Sequence, residues 1–194
     1  MIVMFCVQIV LFKVKKMNYR AFIDDDDTPF RIEYYHNPKR WVDNLIDSNN
    51  PIVKIENWSS EIKYMNQSYD DVSDEINSLP NDKGGIYMFY IKGICLPFIE
   101  NYIVYIGRCK STDSQNIKKR AKEYYTNDYL KGKRHMIQKM FKHWKEYLYY
   151  RYYPDVDNDR IDINESFLIR AILPPYNEVI PDKIDIQPTI SAFR

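Results

Sequence analysis

Apolar residues crowd into two short runs near the middle of the chain, residues 86–91 and 102–106, both rich in aromatic and β-branched side chains. Such runs predict strands, and the segment between them, which contains Gly93 and Pro97, predicts a hairpin-like connection. A third run, residues 148–153, predicts another strand ended by Pro154. Elsewhere the spacing is helical. Between Asp113 and Tyr125 the residues Ile117, Arg120, Ala121 and Tyr124 follow the i, i+3, i+4, i+7 rule, with Asp113 or Ser114 as the N-cap. Residues 135–147 form a second such stretch, burying Ile137, Met140, Phe141 and Trp144. Residues 161–173 form a third, with Ile161, Glu165, Leu168 and Ile172 on one face, stopped by Pro174 and Pro175. Residues 155–159 read as a loop.

Upstream the pattern is weaker. Residues 38–46 predict a short helix, 52–62 a strand, 69–79 a helix, and 79–83 a turn leading into the first central strand. Residues 1–12 are apolar and precede Lys13, Lys15 and Lys16. Twelve residues are too few for a membrane-spanning helix, and the charges follow the apolar run where a secretory signal places them before it. A buried strand and a start at Met17 account for this leader equally well. The four aspartates at 24–27, closed by Thr28 and Pro29, read as a solvated loop. The chain thus divides into an apolar and basic leader at 1–20, an acidic region at 21–80, a main domain at 81–182 and a tail at 183–194.

Two charged residues stand inside apolar helical stripes: Arg120 and Glu165. A buried charge is costly unless it is paired or coordinates something. Pairing with each other, or reaching solvent from the edge of the stripe, is one solution, and service at a site is the other.

The two central runs carry a further pattern. The first opens with Gly85, Ile86 and Tyr87; the second closes with Tyr105, Ile106 and Gly107. Antiparallel pairing brings the start of one strand beside the end of the next, so two phenol hydroxyls are expected at one sheet end. The ordered set of these two tripeptides, then Arg120, Glu165 and Asn177, resembles the GIY-YIG nuclease family over roughly residues 79–181. That resemblance implies a small α+β domain with a mainly antiparallel central sheet flanked by helices, here with an N-terminal extension, and metal-dependent hydrolysis of DNA.

The resemblance also implies roles. Tyr87 activates or orients the attacking water and Tyr105 supports it. Arg120 contacts the phosphate, with Lys119 beside it, and Tyr124 fills a position that is histidine or tyrosine in the family. Glu165 binds the metal, and Asn177 follows the last core helix as a phosphate-binding residue. The chemistry is consistent with such roles. One carboxylate suffices for a Mg²⁺ (or Mn²⁺) ion that keeps several waters, and a guanidinium fork grips phosphate oxygens. A phenol with an ordinary pKa of about 10 is a poor base, so Tyr87 needs a nearby cation, for which Arg108 and Lys110 are the local candidates. Two departures stand out. The segment between the tripeptides is longer than in compact members, and Arg108 stands where many members have lysine. Arginine stabilises charge but accepts no proton, which leaves Lys110 for that task. Retention of the fold as a nucleic-acid-binding module without turnover is the alternative.

Charge and cysteine content sharpen the picture. The formal net charge is only +1. Yet residues 21–82 hold 14 acidic against 5 basic side chains, and residues 108–145 hold 12 basic against 3 acidic. The basic half, interleaved with Tyr124, Tyr125, Tyr129, Phe141 and Trp144, suits the backbone of a polyanion. Three cysteines without paired spacing indicate neither a disulfide framework nor a zinc site, and point to a reducing, cytoplasmic setting. No membrane partner is expected. A homodimer is a possibility because one such site cuts one strand.

Overall fold

The computed structural model describes residues 50–93, 100–179 and 181, all within the compact unit His36–Ala192. The apolar leader, the aspartate run at 24–27, the helix expected at 38–46, most of the connection at 92–101 and the tail at 183–194 lie outside the described residues.

Four antiparallel strands make one sheet: β1 (Ile62–Lys63), β2 (Gly84–Ile91), β3 (Tyr102–Cys109) and β4 (Leu148–Asp155), in the order β1-β4-β2-β3. The helices are α1 (Asp74–Asn77), α2 (Ile117–Glu123), α3 (His135–Trp144) and α4 (Asn158–Ile172). The expected α+β class, a small antiparallel sheet with helices against it, is what the chain adopts.

Alternation along β2 and β3 sorts their side chains onto two faces. Tyr87 and Phe89 join Tyr105, Tyr150, Ile117, Ala121, Tyr124 and Phe141 in the larger core, beneath α2 and α3. Ile86 and Ile106 point the other way and join Ile52, Ile161 and Ile169, beneath α4. A bulge interrupts the alternation. Phe89 pairs with Tyr105 but Tyr90 pairs with Ile103, so Val104 is an extra residue in β3. Val104 and Tyr105 accordingly both reach the aromatic core. The outer edge of β3 is covered by the segment after α4. Tyr176 N–H donates to the Val104 carbonyl at 3.0 Å, and the Asn177 amide bonds Ile106 N–H at 3.0 Å and Ile106 C=O at 2.7 Å.

Several boundaries differ from expectation. The helix expected from Asp113 begins at Ile117, because Asn116 is the N-cap, its side chain accepting from Lys119 N–H at 2.9 Å. It then widens into a π-helical turn, Tyr124–Tyr129. β4 continues through Pro154 to Asp155. Proline is tolerated there because β1 reaches only Tyr149 and Tyr150, leaving β4 with β2 as its one strand partner at that point among the described residues. The stretch expected as a loop at 155–159 holds the last residue of β4, the cap Asp157 and the first two residues of α4. Residues 52–62 form two 3₁₀ turns before a two-residue strand, with Pro51 opening the first. Of the helix expected at 69–79 only α1 forms; Tyr69 has a positive φ of 57° and Ser73 is the cap. α3 ends at Trp144, and residues 145–147 tighten into a 3₁₀ turn.

Candidate active site

The aromatic face of the sheet contains a cluster of three phenol hydroxyls. Tyr87 comes from β2, Tyr105 from β3 and Tyr124 from the junction of α2 with the π turn. Tyr87 and Tyr124 hydroxyls lie 2.8 Å apart, and Tyr124 donates to Tyr105 Oη at 3.0 Å. The two glycines of the paired tripeptides are explained by this packing. A Cβ on Gly107 would stand 2.7 Å from Tyr87 Cε2 and 2.9 Å from Tyr105 Cε1, so any side chain there would push both rings aside. Gly85 has a φ of +147°, and a Cβ there would collide with the Tyr153 carbonyl.

Arg120 sits against this cluster. Its Nε donates to Tyr87 Oη at 3.2 Å and its Nη2 to Tyr124 Oη at 3.3 Å, with the guanidinium carbon 4.5 Å from the centre of the Tyr124 ring. The helical stripe that places Arg120 among Ile117, Ala121 and Tyr124 is therefore real, and the charge is accommodated by phenol oxygens and an aromatic face. Its nearest carboxylate is Glu123, at 3.3 Å, and the ion pair of Glu165 is made with Arg108 instead. Tyr87 also donates to the Arg108 carbonyl at 3.0 Å. Its single proton thus has two acceptors in reach, that carbonyl and Tyr124.

Burial drives the Tyr87 phenol well above its ordinary value, and the nearby Tyr105 adds to this while Arg120 only partly offsets it. Tyr105 and Tyr124 are raised as well, again first by burial. All three are therefore protonated phenols at neutral pH, linked donors and acceptors rather than standing bases. Cys109, behind them, is a free thiol pushed up to about 11 by burial, which makes it inert.

Glu165 projects from α4 with its side chain 14% exposed. It is ion-paired with Arg108 Nη1, and Arg108 Nε reaches Asp162 at 2.9 Å. Lys110 Nζ meets the other Asp162 oxygen at 2.8 Å. Arg108 thus joins the two parts of the site: its carbonyl accepts from Tyr87 and its side chain holds Glu165. Burial raises the Glu165 carboxyl above its usual range, more than the Arg108 charge lowers it.

Asn177 and Lys119 are used elsewhere. The Asn177 amide is spent on the β3 edge, and the Lys119 ammonium is turned back to the Ser114 carbonyl at 2.6 Å. Among the described residues no group of three or more His, Cys, Asp or Glu side chains is arranged to hold a metal. Glu165 and Asp162 are a pair one turn apart, already facing two cations. Such a donor set fits a magnesium ion held by one carboxylate and water, not an all-protein cage.

Two further residues belong to the site without having been singled out by sequence. Arg134, at the start of α3, donates from Nη2 to Tyr105 Oη at 3.1 Å. Asp128, on the π turn, is buried, and its Oδ2 lies 3.7 Å from Arg134 Nη1 and 4.0 Å from Arg120 Nη2. The available signal was scarcity: Asp128 is one of only three acids in residues 108–145, and a second, Glu123, also meets Arg120.

No helix among the described residues is long and apolar enough to cross a membrane. Comparison of the chain with family models, curated proteins and solved structures gives no match.

Proposed function

We propose that this protein is a metal-dependent endonuclease of the GIY-YIG type that hydrolyses phosphodiester bonds in DNA. The observation that carries this reading is the convergence of Tyr87, Tyr105, Tyr124 and Arg120, from three separate elements, into one hydrogen-bonded group. Glu165 is tied to that group through Arg108. Ordinary core tyrosines satisfy their hydroxyls one at a time against backbone, as Tyr64 does with the Ala121 carbonyl at 2.5 Å. Three hydroxyls sharing two bonds around a guanidinium is an arrangement that a stable core does not require.

The residues divide the work as follows. Arg120 grips a non-bridging phosphate oxygen, exchanging phenol acceptors for a stronger anionic one. That exchange frees a lone pair on Tyr87 Oη, which then accepts from the attacking water and aims it at phosphorus. Tyr124 and Tyr105 hold the Tyr87 ring and hydroxyl in place. Glu165 would hold a Mg²⁺ or Mn²⁺ ion, which neutralises charge on the phosphate and leaving oxygen when bound. Arg108 keeps the Glu165 carboxylate paired in the free protein. Lys110 and the lysines of residues 118–145 supply the electrostatic attraction for DNA. A reducing, cytoplasmic setting suits the free thiol of Cys109.

The test is plasmid cleavage with Mg²⁺ or Mn²⁺. The wild-type protein is expected to convert supercoiled DNA to nicked or linear forms. Glu165→Ala and Arg120→Ala are each expected to lose on the order of 100-fold or more in rate. A folded wild-type protein that cuts no DNA with either metal would sink the reading. One observation favours a second reading, a binding module without turnover: Glu165 is already neutralised by Arg108. Salt-sensitive, metal-independent DNA binding untouched by Glu165→Ala would support it. If cleavage of both strands is observed, gel filtration at working concentration would show whether a homodimer provides the two sites.

A further inference from the structure

Arg120 has company. Arg134 brings a second guanidinium to the phenol cluster, its carbon 5.6 Å from the centre of the Tyr105 ring and 5.7 Å from that of Tyr124. Two like charges so placed repel unless an anion stands between them. Asp128 is that anion: buried, facing both guanidiniums with the same oxygen. Yet the spacing of 3.7 and 4.0 Å is too long for a hydrogen bond, and Asp128 Oδ2 has no hydrogen-bond partner. A carboxylate serving only stability would close those contacts, because an unsatisfied buried charge is expensive. Here it holds two arginines in place while leaving guanidinium donors unspent. Arg134 is also the more open of the two, its side chain 32% exposed against 23% for Arg120.

We infer that Arg134 is a second backbone-phosphate contact, and that Asp128 is a positioning residue for both arginines. The site would then take two phosphates of one strand, Arg120 gripping the scissile one and Arg134 its neighbour. This inference rests on the nucleic-acid reading of the site, though not on turnover. It makes the ligand an extended strand. A lone phosphate monoester or a mononucleotide offers one phosphate to a site built for two. Other charges face this group as well: Glu123 covers Arg120 Nη1 and is shared with the Gln115 amide at 3.0 Å, Lys133 acts on Asp128, and Glu165 feels the Arg120 charge.

The experiment measures binding of a short duplex DNA in EDTA over a range of salt, then single-turnover cleavage with Mg²⁺. Arg134→Gln keeps an N–H donor for Tyr105 but removes the charge. Each phosphate contact contributes about 0.9 to the slope of log K against log salt, so this variant should lose about one from the slope. Arg134→Lys keeps the charge and should keep the slope, while losing affinity because it lacks the planar fork. Asp128→Asn should keep the slope as well, yet slow the cleavage step by about tenfold through loss of arginine placement. Melting curves of all three check that they are folded. A wild-type slope in Arg134→Gln overturns the inference, as does a lysine variant that loses the slope. An Asp128→Asn variant that cleaves at the wild-type rate overturns the positioning role, whereas binding with the expected slopes but no cleavage would leave the Arg134 contact standing and remove the nuclease. A wild-type protein that does not bind DNA would remove both.

Discussion

Asp155 and Asp128 are both buried, both face arginine, and are treated by the fold in opposite ways. Asp155, at the end of β4, accepts from Arg160 Nε at 2.6 Å and Nη2 at 2.5 Å, and from the backbone N–H of Val156 at 2.7 Å and Asp157 at 3.0 Å. Burial works against its charge, but these bonds outweigh burial and hold its carboxyl below the ordinary value. Asp128 has arginines on two sides and not one hydrogen bond to its Oδ2. There burial outweighs Arg120 and Arg134, and the carboxyl is raised. The difference is geometric: bidentate contact plus backbone donors in one case, long contacts in the other. Asp155 joins β4 to the start of α4 and serves the fold. Asp128 stands where the fold leaves a charge only partly satisfied, as expected where stability is given up for a task.

The largest expected effect separates site from scaffold most sharply. Gly107→Ala puts a methyl group within 2.9 Å of atoms of both Tyr87 and Tyr105, on a strand whose backbone bonds are otherwise unaffected. Displacing those rings by even a fraction of an ångström should cost about 100-fold in cleavage, measured as single-turnover rate on folded protein. Retention of wild-type cleavage in this variant would show that the phenol cluster is packing alone. Next in size is Asp155→Ala. It should destabilise the protein by about 1–3 kcal/mol in urea titration, because two backbone donors lose their acceptor, with little change in rate per folded molecule. A comparable loss of rate would mean that the two aspartates are not separable into fold and site.

Much of this contrast was legible in the chain, and the rest was hidden for identifiable reasons. Ile86, Ile106, Tyr87 and Tyr105 announce two strands and their faces, because alternation and tripeptide order are local properties. Arg120 and Glu165 were visible as charges inside 3.6-residue stripes. Their actual partners were not, since Arg108 on β3 reaches Glu165 on α4 across 57 positions of sequence. Asp128 was hidden by the π turn, which changes the angular step between residues and defeats a count made at 3.6 per turn. Arg134 was hidden because it precedes α3 and belongs to no periodic face. Asn177 shows the opposite failing. Its place after two prolines is legible, but its amide is spent on Ile106 at the edge of β3.

The smallest expected effect is also the most direct test of the opening contrast, because it compares the same residue type in one molecule across pH. For Asp155 the folded value lies below the ordinary 3.8, so its contribution to stability is present above pH 3.8 and lost as pH falls through the depressed value. For Asp128 the folded value lies above 3.8. Its contribution is present below pH 3.8 and lost as pH rises through the raised value, so at neutral pH the charged form is a burden. Substituting asparagine, which mimics the neutral acid, should therefore give variants of opposite sign. At pH 7 Asp155→Asn should melt below the wild type and Asp128→Asn at or slightly above it. As pH falls the Asp128→Asn gain should vanish first, while the Asp155→Asn deficit should persist until below pH 3.8. Melting temperatures between pH 3 and pH 7 read both trends. A deficit for Asp128→Asn at pH 7 that matches Asp155→Asn would mean that Arg120 and Arg134 satisfy the buried carboxylate after all, and that the site is as relaxed as the scaffold.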